Sequence, residues 1–164
     1  MKNTLPLIAL STLALGLAAC GGQPASTAPA ASAGDTAPAE AAAIVLPRTP
    51  SPAGASVSII TPVDGETLSS PVTVRFAIEG MALVPAGTDE PDSGHHHLLI
   101  DTDLPPLDQP IPTDEQHLHF GKAQTEAEVE LAPGTHTLQL LLGDARHIPH
   151  DPPVASEQIT ITVE

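Results

Sequence analysis

Cysteine, aromatic residues and basic residues are all scarce in this chain. A single cysteine, Cys20, occurs in 164 residues, so an intramolecular disulfide and a multi-thiolate metal centre are both excluded. Phe76 and Phe120 are the only aromatic rings besides histidine, with no Trp and no Tyr, which leaves no stacking platform for bases or sugars. Five Lys and Arg stand against 20 Asp and Glu, a formal charge of −15. Such a chain repels nucleic acid and anionic lipid and draws in cations. Gly-x-Ser-x-Gly and His-Glu-x-x-His are also missing, as is any helical hydrophobic period. Asp101 or Asp144 beside a histidine would suit an acid–base pair, but the sequence singles out neither. The expectation is a protein that is not an enzyme.

The N-terminus is an address. Lys2 supplies a positive charge, Leu5 to Ala19 is almost wholly apolar, and Leu17-Ala18-Ala19-Cys20-Gly21 follows. A charged start, an apolar middle and small residues before a cut make a secretory signal. Leu-Ala-Ala-Cys also resembles the lipobox of bacterial lipoproteins. The resemblance implies lipidation of Cys20, a lipid anchor to the membrane, and a place in the cell envelope on the periplasmic or extracellular side. Acyl chains on the cysteine would contribute membrane affinity through their buried methylenes. Removal of the leader takes Lys2 from the five basic residues and leaves four against 20 acidic ones. Residues 21–54 are rich in Ala, Pro, Ser and Thr and bury too little to offset chain entropy, so they are expected to form a disordered tether.

From residue 55 to 164 the pattern has period two. Val72, Val74, Phe76 and Ile78 alternate with Thr73, Arg75, Ala77 and Glu79. Similar alternation marks 57–60, 126–131, 137–142 and 159–163, and strands are also expected at 95–101 and 117–121. Nineteen prolines and twelve glycines punctuate the chain. About seven short strands predict a single immunoglobulin-like antiparallel β-sandwich over 55–164.

Eight histidines all fall after this break, and none precedes His95. Along a strand, side chains alternate, so His95, His97, Leu99 and Asp101 share one face and His96, Leu98 and Ile100 the other. The second face is the more apolar and should point inward. Likewise Leu118 and Phe120 turn His117 and His119 outward. If the two strands are antiparallel neighbours, four outward histidines share one sheet surface. The loop with Asp144, His147 and His150 leaves from the same rim, and Asp89-Glu90-Pro91-Asp92 enters it. His95, His97, His117, His119, His147 and His150 are therefore the candidate metal ligands. Neutral imidazole suits zinc and Cu(II), whereas one methionine after the leader, Met81, gives poor support to soft Cu(I). His96 and His136 are expected to be structural. The alternative is a non-metal adhesion or assembly module whose histidines only bond strands and loops together.

Several long motifs point to a family. Gly94-His95-His96-His97-Leu98-Leu99-Ile100-Asp101, His117-Leu118-His119-Phe120-Gly121-Lys122-Ala123-Gln124-Thr125-Glu126, Pro133-Gly134-Thr135-His136-Thr137-Leu138-Gln139-Leu140, and Gly143-Asp144 with His147 and Pro149-His150 resemble the domain of unknown function 4399 family of bacterial secreted proteins. Ala123 stands where a second glycine is expected. The resemblance implies a secreted β domain and no particular activity.

Overall fold

The computed structural model describes residues 46–164. The expected signal peptide, the lipobox-like stretch with Cys20 and the expected tether up to residue 45 lie outside the described residues. In chain order the strands are β1 (Ser56–Thr61), β2 (Thr67–Leu68), β3 (Val72–Glu79), β4 (Ala82–Leu83), β5 (Ser93–Ile100), β6 (His117–Phe120), β7 (Glu126–Val129), β8 (Gly134–Gly143) and β9 (Ile159–Val163). No helix occurs among the described residues.

One sheet has the order β1-β3-β7, the other β2-β9-β8-β5-β4, with β6 also paired to β5. The protein is an all-β sandwich. Its grouping of first, third and seventh strands against β9, β8 and β5 follows the immunoglobulin-like scheme. β2 and β4 are additions to the seven expected strands. Each is two residues long, too short for alternation to mark it. Contacts also begin before residue 55: the Asp151 N–H donates to the Thr49 carbonyl at 2.9 Å, and the Ser51 N–H to the Asp151 carbonyl at 3.1 Å.

Alternation explains the core. Val72, Val74 and Phe76 of β3 are buried while Thr73 and Arg75 between them are exposed. From the opposite sheet come Leu98, Ile100, Leu138, Leu140, Leu142 and Ile161. Full burial of each such side chain stabilises the fold by roughly 1.5–3 kcal/mol. The stretch 138–142 is strand, as its flanking turns predict, despite good helix propensity. His96 lies on this inner face, its ring centroid 5.3 Å from that of Phe76.

The outer face of β5 departs from expectation. All eight residues of this strand are buried, His95 and His97 included. They were expected to face solvent. The cause is a second layer formed by the loops: Ile111, carried in by the 101–116 connection, packs on Leu99 and Leu141. The Ile111 N–H donates to the His147 carbonyl at 2.8 Å and so joins that connection to the 144–150 loop. β5 also ends at Ile100. Asp101 has φ 54° and is not a strand residue in line with His97.

Asp101 instead anchors the start of β8. Its carboxylate accepts from the Thr137 N–H at 2.8 Å and contacts His136 Nδ1 at 2.7 Å. His136 Nε2 lies 2.8 Å from the Ala132 carbonyl. Both partners are acceptors, so only the protonated ring satisfies both. The Ala132 carbonyl first, and the Asp101 carboxylate next, hold the His136 pKa above its ordinary value. A raised folded-state pKa gives stability that is fully present below about pH 6.5 and is lost as pH rises through the folded value. His136→Gln should therefore lower stability by about 1 kcal/mol at pH 5.5, and by less at pH 8.5. Urea denaturation at the two pH values checks this, and an equal deficit at both would count against the ion pair.

Candidate metal centre

Strand register assembles the site. β5 and β6 pair antiparallel with His97 opposite His119, and β5 and β8 pair with His95 opposite Gly143. Because β8 ends at Gly143, the 144–150 loop begins beside His95 and folds His147 back over the histidine face. One potential ligand atom from each of His95, His97, His119 and His147 lies within 4.8 Å of the other three. His95 Nε2 and His97 Nε2 are 3.1 Å apart, and His119 Nε2 and His147 Nε2 are 3.2 Å apart. Zinc–nitrogen bonds of about 2.0 Å at tetrahedral angles place nitrogens about 3.3 Å apart, so both contacts are near that spacing. The widest separations, up to 4.8 Å, would have to close toward that spacing when an ion binds.

Two glycines make room for the rings. A Cβ on Gly121 would sit 2.4 Å from His119 Cε1 and 2.7 Å from its Nε2. A Cβ on Gly143 would sit 3.1 Å from His97 Nε2 and 3.3 Å from His147 Cα. The sequence shows Gly121 two residues after His119 and Gly143 just before the loop, but only the register reveals that both lie against the rings.

His147 is the least regular of the four. Its φ is 66°, a left-handed conformation that costs a non-glycine residue on the order of 1–3 kcal/mol unless its surroundings impose it. Asp144 is part of those surroundings. Its Oδ1 accepts the N–H groups of Arg146 at 2.8 Å and Ile148 at 2.9 Å, the two residues flanking His147. The His147 N–H closes the turn on the Asp144 carbonyl at 2.8 Å. Burial alone would raise the Asp144 carboxyl, but hydrogen bonds from Ile148, Thr49 and Arg146 hold it below the ordinary carboxylate range. A fixed negative charge thus stands near the cluster. A groove of about 390 Å³, lined by Thr49, Gly87, Asp89, Asp144, Ala145 and Arg146, opens beside this loop.

The other sequence candidates lie elsewhere. His117, opposite Leu99, has its Nδ1 2.8 Å from Asp114 Oδ1. His150 is fully buried, with Nε2 3.1 Å from the Ser93 carbonyl, so it fastens the loop to the start of β5. Neither belongs to the converging group. His136 bonds Asp101 and Ala132, as a structural histidine should. Cys20 lies outside the described residues.

The sequence model described as Domain of unknown function (DUF4399) matches residues 74–164, from within β3 to the end of the chain and across all eight histidines. The chain belongs to this family. No curated protein and no solved structure matches it. The DUF4399 segment therefore carries the whole four-histidine group, while β1 and the residues before it lie outside the match.

Burial lowers the pKa of four of the DUF4399 histidines, His95, His96, His97 and His119. Desolvation, followed by the neighbouring His147 and His119, lowers the His95 pKa to about 4. Desolvation and then His95 lower His97 to about 2. His119 is also lowered, by burial first and then His147. These three rings are neutral at pH 7 and offer lone pairs. In His95 and His97 the Nδ1 atoms are buried without a protein partner, and in His96 both ring nitrogens are. Burial lowers His96 to about 4. Groups with depressed folded pKa values support the fold above about pH 6.5 and withdraw that support as pH falls toward 4. The metal-free protein should thus lose stability steeply between pH 6.5 and 4, with His96 alone responsible for on the order of 3 kcal/mol. His96→Leu should remove that component and raise the unfolding midpoint more at pH 5 than at pH 7.5. An unchanged acid slope in this variant would show that His96 is not buried neutral.

Proposed function

We propose that this protein is a metal-binding module of the bacterial cell envelope rather than an enzyme, holding one zinc or copper(II) ion on His95, His97, His119 and His147. The observation that carries this reading is the convergence of four imidazoles from two strands and a loop. Three of them have pKa values lowered by burial and by one another. Four imidazole nitrogens with no thiolate suit Zn(II) and Cu(II). The nearby Asp144 carboxylate and the acidic surface assist an incoming cation, with the surface part screened by salt. The rival reading, an adhesion or assembly module with structural histidines, fits His136 and His150, which meet backbone carbonyls. It gives no reason for ring nitrogens of four histidines, from two strands and a loop, to converge within 4.8 Å. Anchoring through lipid on Cys20 completes the proposal, and mass spectrometry of the membrane fraction tests it: a soluble product with unmodified Cys20 would sink that part.

Titration of the purified protein with Zn(II) and Cu(II) by calorimetry, with elemental analysis of the product, decides the metal. One ion per chain is expected, and ion at 100 times its Kd should add about 2.7 kcal/mol of stability. His97 is a poor position for a fold-neutral test because it is fully buried. His119 and His147 are only partly buried, so replacing both by Ala should abolish tight binding while the metal-free protein stays folded. His117→Ala should retain the metal. Binding no tighter than about millimolar by the parent at neutral pH, or parent-like binding by the double variant, would falsify the metal reading.

A further inference from the structure

The loop that carries His147 is held from outside the family-matched segment. Residues 47–51 run along it as a strap. The Pro47 carbonyl accepts from Arg146 Nη2 at 2.8 Å. Arg48 donates through Nε to the Pro149 carbonyl at 3.1 Å and through Nη2 to the His150 carbonyl. Thr49 takes the Asp151 N–H on its carbonyl, and its hydroxyl donates to Asp144 Oδ2 at 2.7 Å. Ser51 Oγ donates to the Pro152 carbonyl at 2.8 Å.

The Thr49 hydroxyl acts at the point where the loop is decided. Asp144 uses one oxygen to hold the peptides on both sides of His147. The other oxygen is held by Thr49 and, at 3.3 Å, by the half-exposed Arg146 guanidinium. The Asp144 side chain is 6% exposed, so water is poorly placed to replace a lost donor. Without the hydroxyl, Oδ2 keeps only the longer Arg146 contact, and the left-handed His147 loses part of the frame that imposes its conformation.

We propose that Thr49, acting through Asp144, is a positioning residue for His147, and that the 47–51 strap is a working part of the metal centre. This rests on the metal reading above. Partners of metal-ligating groups typically change affinity by about 10–100-fold when removed. Coupling is reciprocal, so bound metal must also steady the strap.

The test uses the full chain, with Zn(II) and Cu(II) as probes, in Thr49→Val, Thr49→Ser and His147→Ala backgrounds. Thr49→Val should weaken binding by about 10-fold and shift the Cu(II) visible and electron-paramagnetic signatures toward those of His147→Ala. Thr49→Ser, which keeps the hydroxyl, should restore both. In the Thr49→Val background His147→Ala should cost less than it does in the parent, the mark of two residues acting through one contact. Amide hydrogen exchange of the metal-free chain gives a second readout: Thr49→Val should speed exchange at Arg146 and Ile148. If the parent takes no metal, the functional reading fails, and exchange alone judges the strap. Parent-like affinity and signature in Thr49→Val, or unaltered exchange at those two amides, overturns the positioning role.

Discussion

A strand buried on both faces must find neighbours for two rows of side chains, and β5 is such a strand. Its inner row, His96, Leu98 and Ile100, meets the opposite sheet in an ordinary sandwich core. Its outer row, His95, His97 and Leu99, has no second sheet above it and depends on loops. Ile111 lies over Leu99, and the loop with His147 meets His95 and His97. The two covers are joined through the Ile111 N–H and the His147 carbonyl. The position of the outer loops and the burial of the histidines are therefore one constraint.

That cover is expensive for a domain of this size. A buried donor or acceptor without a partner costs about 1–3 kcal/mol, and His95, His96 and His97 together leave several such atoms. Native stability is commonly only about 5–15 kcal/mol, so the histidine row consumes a sizeable fraction of what the aliphatic core supplies. Replacing His95 and His97 by aliphatic residues would give a sounder outer layer on packing grounds alone. Their presence at the centre of a closed layer argues that packing is not what they are for. His117, which meets a carboxylate, and His136, which meets a carboxylate and a carbonyl, carry no such cost, whereas His150 bonds a carbonyl through Nε2 and leaves Nδ1 unpartnered.

The sandwich was legible because its strands alternate and its turns carry proline and glycine. The shared face of His95, His97, His117 and His119 was legible for the same reason. Which two of His117, His119, His147 and His150 join the group was not. His117 and His119 occupy equivalent phases in β6, and only the register, His119 opposite His97 and His117 opposite Leu99, separates them. His147 and His150 sit in an irregular loop, where spacing gives no direction. The burial of the outer row was also hidden. Ile111 stands between Pro110 and Pro112 in a connection with no hydrophobic period, so nothing in its pattern announces a core residue. The strap at 47–51 was read as part of a tether because its composition is that of one. Its attachment depends on a few specific hydrogen bonds, to which composition is blind.

The division of the four histidines between rigid and irregular elements bears on how an ion would be exchanged. His95 and His97 lie on the central strand, paired on both sides, where opening requires much of the global unfolding free energy. His119 lies on the four-residue β6 and His147 on a loop, and both are partly exposed. A short strand paired on one side, such as β6, opens at lower free energy than a central one, whereas the His147 loop is tied down by Asp144, the Ile111 N–H and the 47–51 strap. An ion held by all four would thus keep its two inner ligands while His119 let go, so that it could pass to another ligand without the sandwich unfolding. A site placed between the sheets, where His96 lies against Phe76, would have no such exit. The loop-covered outer face would therefore meet two demands together: it buries the inner pair, and it leaves His119 on a short strand paired on one side only.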